Sequence, residues 1–389
     1  MNFVEDVDYL ESLFHSVDSH ITLKYKNKDD ASLGYGQSGL AIYSAYNYLY
    51  SKDDLNLSNL FYSLNSIIDD LEKKSSHHTF MLGQYGLIWA LLKIKNLGLI
   101  DSTENQNLFN TETLKINIEH SINSNRDKKN NDFFNGLTGL LFFLNSLIKE
   151  DDEFIPLHEL CIKYMMKISI NDEKGIRWGF PTEEHYAKPL MDLYNKKNIV
   201  FFGLSHGITA TSSVLSRALG TNNIHIILKT FKYLDSYKNI NSKIEILPQC
   251  NLINYKKTEI SNTWAHGNLA IAFAYISIGK KLNNRKLFNS GIEIAKESIT
   301  RGYLFKSLDI CSGIFGYLYV LYKLYKITHL EIFKIHANDV IKDMKKKSTP
   351  RSQLTNEIGI LYGASGIGLS ISTMLGKTDD DWDEFLLLS

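Results

Sequence analysis

The chain has 389 residues, 44% of them apolar, and its 43 basic side chains are balanced by 43 acidic ones. Zero net charge argues against a nucleic-acid-binding protein, which usually carries a basic surface. No apolar stretch approaches the roughly 18 residues that a membrane span needs, and the start lacks the basic and apolar regions of a signal peptide. Three cysteines make no disulfide framework, so we expect a cytoplasmic protein.

A short glycine motif recurs along the whole chain. Each copy reads Gly-x-x-Gly or Gly-x-x-Ala, and successive copies begin 46 to 71 residues apart. The first glycines of the seven motifs are Gly36, Gly83, Gly136, Gly207, Gly267, Gly313 and Gly363. Such self-similarity is typical of a repeat architecture, in which a repeat buries its apolar face only against its neighbours. The sequence therefore predicts one domain over residues 1–389, rather than the two or three that its length alone suggests.

Two kinds of helix alternate with these motifs. The runs that follow the motifs, such as residues 316–325, are apolar around most of the helix circumference, which predicts helices buried on nearly all sides. The stretches between them, such as residues 60–71, are apolar on one face. This alternation predicts an all-α fold of two concentric rings, an α/α toroid with seven inner and about seven outer helices. Glycine at the start of an inner helix allows close backbone approach and unusual dihedral angles.

Three polar stretches interrupt the helical pattern, at residues 123–131, 171–198 and 239–262. We expect them to be loops at the rim of the ring, where long irregular segments often carry function.

Reactive side chains directly precede three of the glycines. They are His206 before Gly207, His266 before Gly267, and Cys311 with Ser312 before Gly313. If the motifs are structurally equivalent, His206, His266 and Cys311 converge at one mouth of the ring. Asp132, four residues before Gly136, then points toward the same mouth. Such a set can serve as metal ligands or as acid–base groups.

Each candidate also has a structural explanation. A histidine at a helix end can be a hydrogen-bonded core residue, Cys311 can be a small buried side chain, and Asp132 can cap a turn. Trp264, in the sequence Trp264-Ala265-His266, is either packing at the mouth or a wall that binds the substrate. The residues alone leave these alternatives open.

The seven ordered motifs and the end of the chain, from Trp382 to Leu388, resemble the lanthionine synthetase C-like family over essentially the whole chain. The resemblance implies an α/α toroid and a cyclase of lantibiotic biosynthesis. Such an enzyme adds a cysteine thiol of a dehydrated precursor peptide to dehydroalanine or dehydrobutyrine and closes a thioether ring. It also implies zinc without an organic cofactor, and as partners a Ser/Thr peptide dehydratase and an exporter complex.

The family's site residues carry over only in part. By this resemblance, His206 in Ser205-His206-Gly207 is the acid–base histidine, Asp132 is the active-site aspartate, and Cys311 is one of three zinc ligands. Ala265 stands where the family has a second ligand cysteine, and Ser312 stands where it has the ligand histidine. The chain therefore departs from the family pattern at two of the three zinc positions.

Three hypotheses follow from this partial match. The chain is a cyclase with a rebuilt zinc site of His266 and Cys311, with or without His206. Alternatively, it is a cyclase without metal that relies on His206 or His266 as the base. In the third hypothesis it is an inactive relative that binds the precursor peptide or partner enzymes. A glycosidase on the same fold would need two facing carboxylates, and Asp132 is the one acid that the motifs place at the mouth.

Overall fold

The computed structural model describes residues 3–24, 26, 30–73, 77–100, 110–180, 199–219, 223–243, 246–251, 262–305, 307–347, 354 and 357–389. The helices of the first half are α1 (Val7–Lys24), α2 (Gln37–Ser51), α3 (Asp54–Lys73), α4 (Gln84–Asn96), α5 (Thr111–Lys128), α6 (Leu137–Glu150) and α7 (Ile155–Ile168). A two-stranded antiparallel hairpin of β1 (Ile170–Asp172) and β2 (Gly175–Arg177) follows. The later helices are α8 (Ile208–Ala218), α9 (Ile224–Asp235), α10 (Asn268–Lys281), α11 (Arg285–Thr300), α12 (Ile314–Thr328), α13 (Glu331–Lys346) and α14 (Ala364–Met374). Short 3₁₀ helices span Asp152–Phe154 and Asp381–Leu386.

Buried and amphipathic helices alternate through the described ranges, as the sequence predicts. The even-numbered helices α2 to α14 are buried along most of their length; in α8, every residue from 208 to 216 is buried. The odd-numbered helices bury one face: in α11 the buried residues are Leu287, Gly291, Ile294, Ala295, Ser298 and Ile299. This spacing of three and four residues is that of a helix with one apolar stripe against the core.

The packing of α3 illustrates how the two kinds of helix meet. Leu60, Leu64 and Ile67 of α3 share one apolar cluster with residues of α2 and α4. Full burial of such a side chain stabilises the fold by about 1.5–3 kcal/mol. The apolar stripe of Leu60, Leu64 and Ile67 therefore determines which face of α3 packs against α2 and α4. The neighbouring Phe61 is 52% exposed, because the next residue along a helix points about 100° away from Leu60.

The chain divides into two compact units. Unit 1 comprises Met1–Asn110, Phe305–Glu384 and Ser389, and unit 2 comprises Thr111–Leu304 and Phe385–Leu388. The single domain expected over residues 1–389 stays a prediction.

No helix in the described ranges is long and apolar enough to cross a bilayer.

Every buried helix begins directly after the first glycine of a motif, and that glycine is its N-cap. The backbone there is ordinary and extended, with φ of −142° at Gly83 and −120° at Gly136. A Cβ at Gly83 would lie 1.9 Å from the carbonyl oxygen of His77, and one at Gly136 would lie 2.5 Å from the amide nitrogen of Asp132. Close backbone approach is therefore confirmed as the reason for these glycines, while the expectation of unusual dihedral angles is wrong.

In six of the seven motifs, the described residues show that the preceding turn caps the buried helix through its backbone. No side chain of the N-cap residue can do so, and the first helical amide instead donates to the carbonyl seven residues upstream. The pairs are Gln37 to Asp30 (2.8 Å), Gln84 to His77 (2.8 Å), Leu137 to Asn130 (3.1 Å), Ile208 to Phe201 (2.9 Å), Ile314 to Ser307 (3.1 Å) and Ala364 to Glu357 (3.0 Å). For Asn268, the residue seven positions upstream lies outside the described residues. Turn and helix start thus form one repeated unit that satisfies its own amides.

Backbone hydrogen bonds join neighbouring turns. In each bond, donor and acceptor both lie two residues before the first glycine of their motif. In unit 1, Gly34 N donates to Met81 O (3.1 Å), Leu361 N to Gly34 O (3.0 Å) and Cys311 N to Leu361 O (2.9 Å). In unit 2, Ser205 N donates to Ala265 O at 3.2 Å. These pairings draw the side chains of this position into the interior.

One position in each turn reaches the surface. Among the four residues that end at the first glycine, only the one directly before it is not buried, in all seven turns. The seven residues at this accessible position are Tyr35, Leu82, Asn135, His206, His266, Ser312 and Tyr362. The turn geometry therefore exposes His206 and His266 and buries Ala265 and Cys311.

Two of the expected rim loops are corrected by the structure. Residues 123–128 belong to α5, and their polar side chains lie on its solvent side. The guanidinium of Arg126 lies 4.8 Å from the ring centroid of Tyr164. The helix ends before Lys129, whose φ is +54°. The stretch 171–198 begins with the β1–β2 hairpin, and residues 181–198 lie outside the described residues. Of 239–262, residues 239–243 and 246–251 form turns and an isolated bridge between Cys250 and Phe201.

We predict that Gly83→Ala destabilises the protein by about 2–3 kcal/mol, because the added methyl group overlaps the carbonyl of His77 although the dihedral angles suit alanine. Gly98→Ala is the control, because Gly98 has open space around it and φ of +74°. Its cost is that of the dihedral angle alone, about 1 kcal/mol. Urea unfolding measures both, and equal losses would contradict the steric explanation.

Candidate functional site

The most specific arrangement in unit 2 is a histidine–carboxylate pair. His206 Nδ1 lies 2.7 Å from Asp132 Oδ2, although 74 residues separate them in sequence. The Asp132 side chain has no exposed surface, whereas that of His206 is 18% exposed. The pair therefore has a buried anionic end and an accessible imidazole.

Backbone amides of its own turn hold Asp132 in place. Its Oδ1 accepts hydrogen bonds from Phe134 N at 2.8 Å and Asn135 N at 3.0 Å, which leaves Oδ2 for His206. The capping role and the active-site role that the sequence offers for Asp132 are thus compatible, since each oxygen serves one of them. Such fixed amide bonds orient the carboxylate before any substrate arrives.

Aromatic rings enclose the imidazole of His206. Measured between ring centroids, Phe134 lies 4.5 Å from His206, Phe180 lies 6.2 Å away and His266 lies 6.0 Å away. The planes of the two imidazoles are inclined by 27°. The structure thus brings His206, His266 and Asp132 together in unit 2, as the motif register predicts. The rings of Phe134 and Phe180 restrict the imidazole to a narrow range of orientations.

The contact with Asp132 determines which ring nitrogen of His206 holds the proton. A carboxylate accepts, so the neutral imidazole carries its proton on Nδ1 and keeps the lone pair on Nε2. An imidazole in this tautomer can remove a proton from an acid at Nε2 and return it later, while the carboxylate stabilises the imidazolium in between.

Trp264 is completely buried, and its indole Nε1 donates to the carbonyl of Leu386 at 2.9 Å. This contact ties the turn before α10 to the end of the chain. It favours the packing alternative for Trp264, whose role as a substrate contact stays a prediction.

Cys311 lies in unit 1, and its convergence with the two histidines stays a prediction. Its thiol is buried, and burial raises its pKa to about 12 although the hydroxyl of Tyr362 bonds the sulfur and opposes the rise. The ring of Tyr362 stacks on that of Tyr35, with 4.7 Å between centroids and 13° between planes. These contacts describe a thiol that is packed and protonated.

The described residues do not fit a zinc site. Neither unit holds, within those residues, a group of three or more His, Cys, Asp and Glu side chains placed to bind a metal ion. Ala265 has no ligand atom, and the hydroxyl of Ser312 donates to Asp309 Oδ1 at 3.4 Å. Zinc in proteins usually takes at least three protein ligands from this set. Zinc bound by Cys311 and His266 remains an untested expectation.

Sequence reasoning missed several residues of these sites. Phe180 lies in a stretch expected to be an irregular rim loop, and no local pattern connects it to His206. Asp309 did have a signal: it stands four residues before Gly313, the same register that Asp132 has before Gly136. Its bond to Ser312 N matches the bond of Asp132 to Asn135 N.

Comparison with known proteins gives two matches. A sequence profile described as "Lanthionine synthetase C-like protein" matches residues 27–387. A solved structure titled "Nisin cyclase" is similar with a TM-score of 0.74, at 16% sequence identity over 97% of this chain and 96% of that one. The comparison with curated proteins found no match. At this identity the structural likeness concerns the fold, and it confirms the predicted fold class, the α/α toroid.

We predict that Asp132→Ala lowers the free energy of unfolding by about 2–4 kcal/mol, because two amides lose their acceptor in a buried turn. Asp132→Asn keeps an oxygen at the same place and costs about 1 kcal/mol. Urea unfolding followed by circular dichroism compares them. Equal stability of the two variants would show that Asp132 does not hold the turn.

Proposed function

The chain belongs to the lanthionine synthetase C-like family, and from this membership we propose that it acts as a lanthipeptide cyclase. Its substrate is a precursor peptide that already carries dehydroalanine or dehydrobutyrine, and its product contains (methyl)lanthionine thioether rings. The observation that carries the proposal is the 2.7 Å contact between His206 Nδ1 and the buried carboxylate of Asp132.

The reaction needs a base that can return its proton. A peptide thiol has a pKa of about 8.5, so at neutral pH it is mostly protonated and weakly nucleophilic. After sulfur attacks the dehydro residue, the carbanion at Cα must be protonated. One imidazole can perform both transfers if it is accessible and correctly oriented.

His206 suits both transfers. Its Nε2 lone pair takes the thiol proton while sulfur forms a bond to Cβ of the dehydro residue, and the π electrons of the double bond move to Cα and its carbonyl as an enolate. The imidazolium then returns that proton to Cα. The net reaction adds S–H across the double bond, so no oxidant, reductant or further proton is required.

Asp132 assists His206 without touching the substrate. Its carboxylate keeps the proton of neutral His206 on Nδ1 and stabilises the imidazolium that forms during the transfer. Since its other oxygen is held by two backbone amides, the carboxylate does not have to reorganise.

His266 is the second catalytic residue of the proposal. Its ring lies 6.0 Å from that of His206 and occupies the same accessible position of the neighbouring turn. An imidazole there can bind the reacting carbonyl of the peptide or share the proton transfer. Trp264, the predicted substrate contact, lies on the buried side of this turn.

We derive no step that uses a metal. Two of the three positions that bind zinc in the family hold Ala265 and Ser312. Thiol addition to a dehydro residue is intrinsically facile, and holding the two groups together supplies much of the acceleration that an enzyme needs. The proposal is therefore a cyclase that works through orientation and the His206–Asp132 pair.

The same two substitutions favour a second candidate, an inactive relative that binds the precursor peptide or partner modification enzymes. In either case the expected partners are the dehydrated peptide, the Ser/Thr peptide dehydratase that prepares it, and an exporter complex. Incubation with a dehydrated, cysteine-containing peptide separates the candidates: a cyclase consumes the free thiol, and a binding protein retains the peptide with its thiol intact.

We predict that His206→Ala lowers the cyclisation rate by about 10²–10⁴-fold, the usual contribution of a general acid–base residue. His120→Ala, an exposed histidine of α5 in the same unit, is the matched control and leaves the rate unchanged. Loss of thiol alkylation on the peptide gives the rate. Full activity in folded His206→Ala would remove this residue from the mechanism.

We predict further that the purified protein carries no stoichiometric zinc and keeps its cyclisation rate after dialysis against a chelator. The reason is that Ala265 and Ser312 replace two zinc ligands of the family, and that among the described residues neither unit holds three ligand side chains placed to bind a metal ion. Metal analysis and the thiol assay, repeated with zinc added back, check this. Activity that disappears with chelation and returns with zinc would support the rebuilt metal site instead.

A further inference from the structure

A small cavity adjoins the His206–Asp132 pair. Its wall includes both residues of the pair together with Asn131, Thr211 and Trp178, and it offers about 10 Å³ to the centre of a water-sized sphere. That space suffices for about one water molecule and is too small for a peptide group.

A buried carbonyl oxygen belongs to one side chain of this wall. Asn131 is only 7% exposed, and its Oδ1 accepts no hydrogen bond from any group among the described residues. An orphaned amide oxygen at such depth costs about 1–3 kcal/mol, so a donor at this place is strongly favoured.

The surrounding hydrogen bonds establish which end of the amide is which. Thr138 donates its hydroxyl proton to the backbone carbonyl of Asn131 at 2.7 Å, so it cannot also donate to Thr211, 3.1 Å away. The proton of the Thr211 hydroxyl is directed to Thr138 or to the backbone carbonyl of Gly207 at 3.5 Å. The oxygen of Thr211 is then an acceptor for Asn131, 2.8 Å away, and the group that donates to it must be the amide Nδ2. Oδ1 is therefore the end of the amide that lacks a donor.

We propose that this cavity binds one water molecule, held by Asn131 Oδ1, and that Asn131 is a positioning residue for the His206–Asp132 pair. Water is the donor that fits the volume, and Asp132 and His206 are the ionisable residues of the same wall. The water donates one proton to Asn131 Oδ1 and its second proton to the Asp132 carboxylate, which can only accept. It thereby limits the motion of the carboxylate and imidazole.

This inference extends the proposed function, because it assigns a supporting role to the same acid–base pair. Asn131→Leu removes the acceptor at nearly constant volume, and Thr211→Val removes the hydroxyl that orients the amide. Thr211→Ser keeps that hydroxyl and is expected to restore the wild-type behaviour. Asn145→Leu is the control, because Asn145 is a half-buried asparagine in the same unit that bonds a different histidine, His158, at 2.8 Å.

Two measurements are independent of cyclase activity. In a crystal structure at high resolution, we expect an ordered water within hydrogen-bond distance of Asn131 Oδ1; a cavity without it overturns the proposal. In nitrogen NMR of labelled histidine, Asn131→Leu and Thr211→Val are expected to lower the population of the His206 tautomer with the proton on Nδ1, whereas Thr211→Ser and Asn145→Leu do not. Unchanged His206 signals in folded Thr211→Val also overturn it.

Kinetics supply the third measurement. We expect Asn131→Leu to lower kcat about tenfold with KM unchanged, the size of about one lost hydrogen bond, and to cause no further loss in a His206→Ala background. An equal loss in both backgrounds would mean a merely structural role. If the wild-type protein does not cyclise peptides at all, the proposed function fails, while the crystallographic and NMR results still decide the water site.

Discussion

Close contact between each buried helix and the turn before it is the constraint on which the rest of the structure depends. A methyl group on the N-cap glycine would lie within 2.5 Å of the preceding backbone at most of these positions, so glycine is required for steric reasons. The contact brings the carbonyl seven residues upstream onto the first helical amide. With the turn held in this way, the side chain before the glycine must point outward and the one before that must point inward. A backbone constraint thus determines which side chains are available for chemistry.

This explains why the fold and part of the site could be predicted from the sequence. The alternation of buried and amphipathic helices depends on local periodicity, and the neighbouring positions of His206 and His266 follow from the repeated register. The Asp132–His206 bond depends instead on the packing of α6 against α8, and Phe180 reaches His206 from a segment without periodicity. Residues 123–128 were misjudged because a polar run on the solvent side of α5 has the composition of a loop. Contacts made across the fold leave no local pattern.

The register also separates the proposed acid–base positions from the cysteine positions of the family pattern. His206 and His266, the residues proposed for acid–base catalysis, occupy the accessible position. The two cysteine positions of the family pattern, represented here by Ala265 and Cys311, occupy the inward position, where the backbone pairs with the next turn. A thiol at that position is desolvated, which is consistent with the raised pKa of Cys311. In the absence of a metal, an inward thiol gains nothing from ionisation, and its contact with Tyr362 is that of a packed residue.

The magnitudes show how much a cyclase loses without a metal. A peptide thiol with a pKa of about 8.5 is about 3% thiolate at pH 7, so complete deprotonation raises the nucleophile concentration by only about thirtyfold. Holding the thiol against the dehydro residue is worth an effective concentration of about 10⁵ M or more when the geometry is well defined. An acid–base residue contributes about 10²–10⁴-fold in addition. In the proposed cyclase, orientation by the fold and proton transfer by His206 therefore each outweigh the advantage of ionising the thiol.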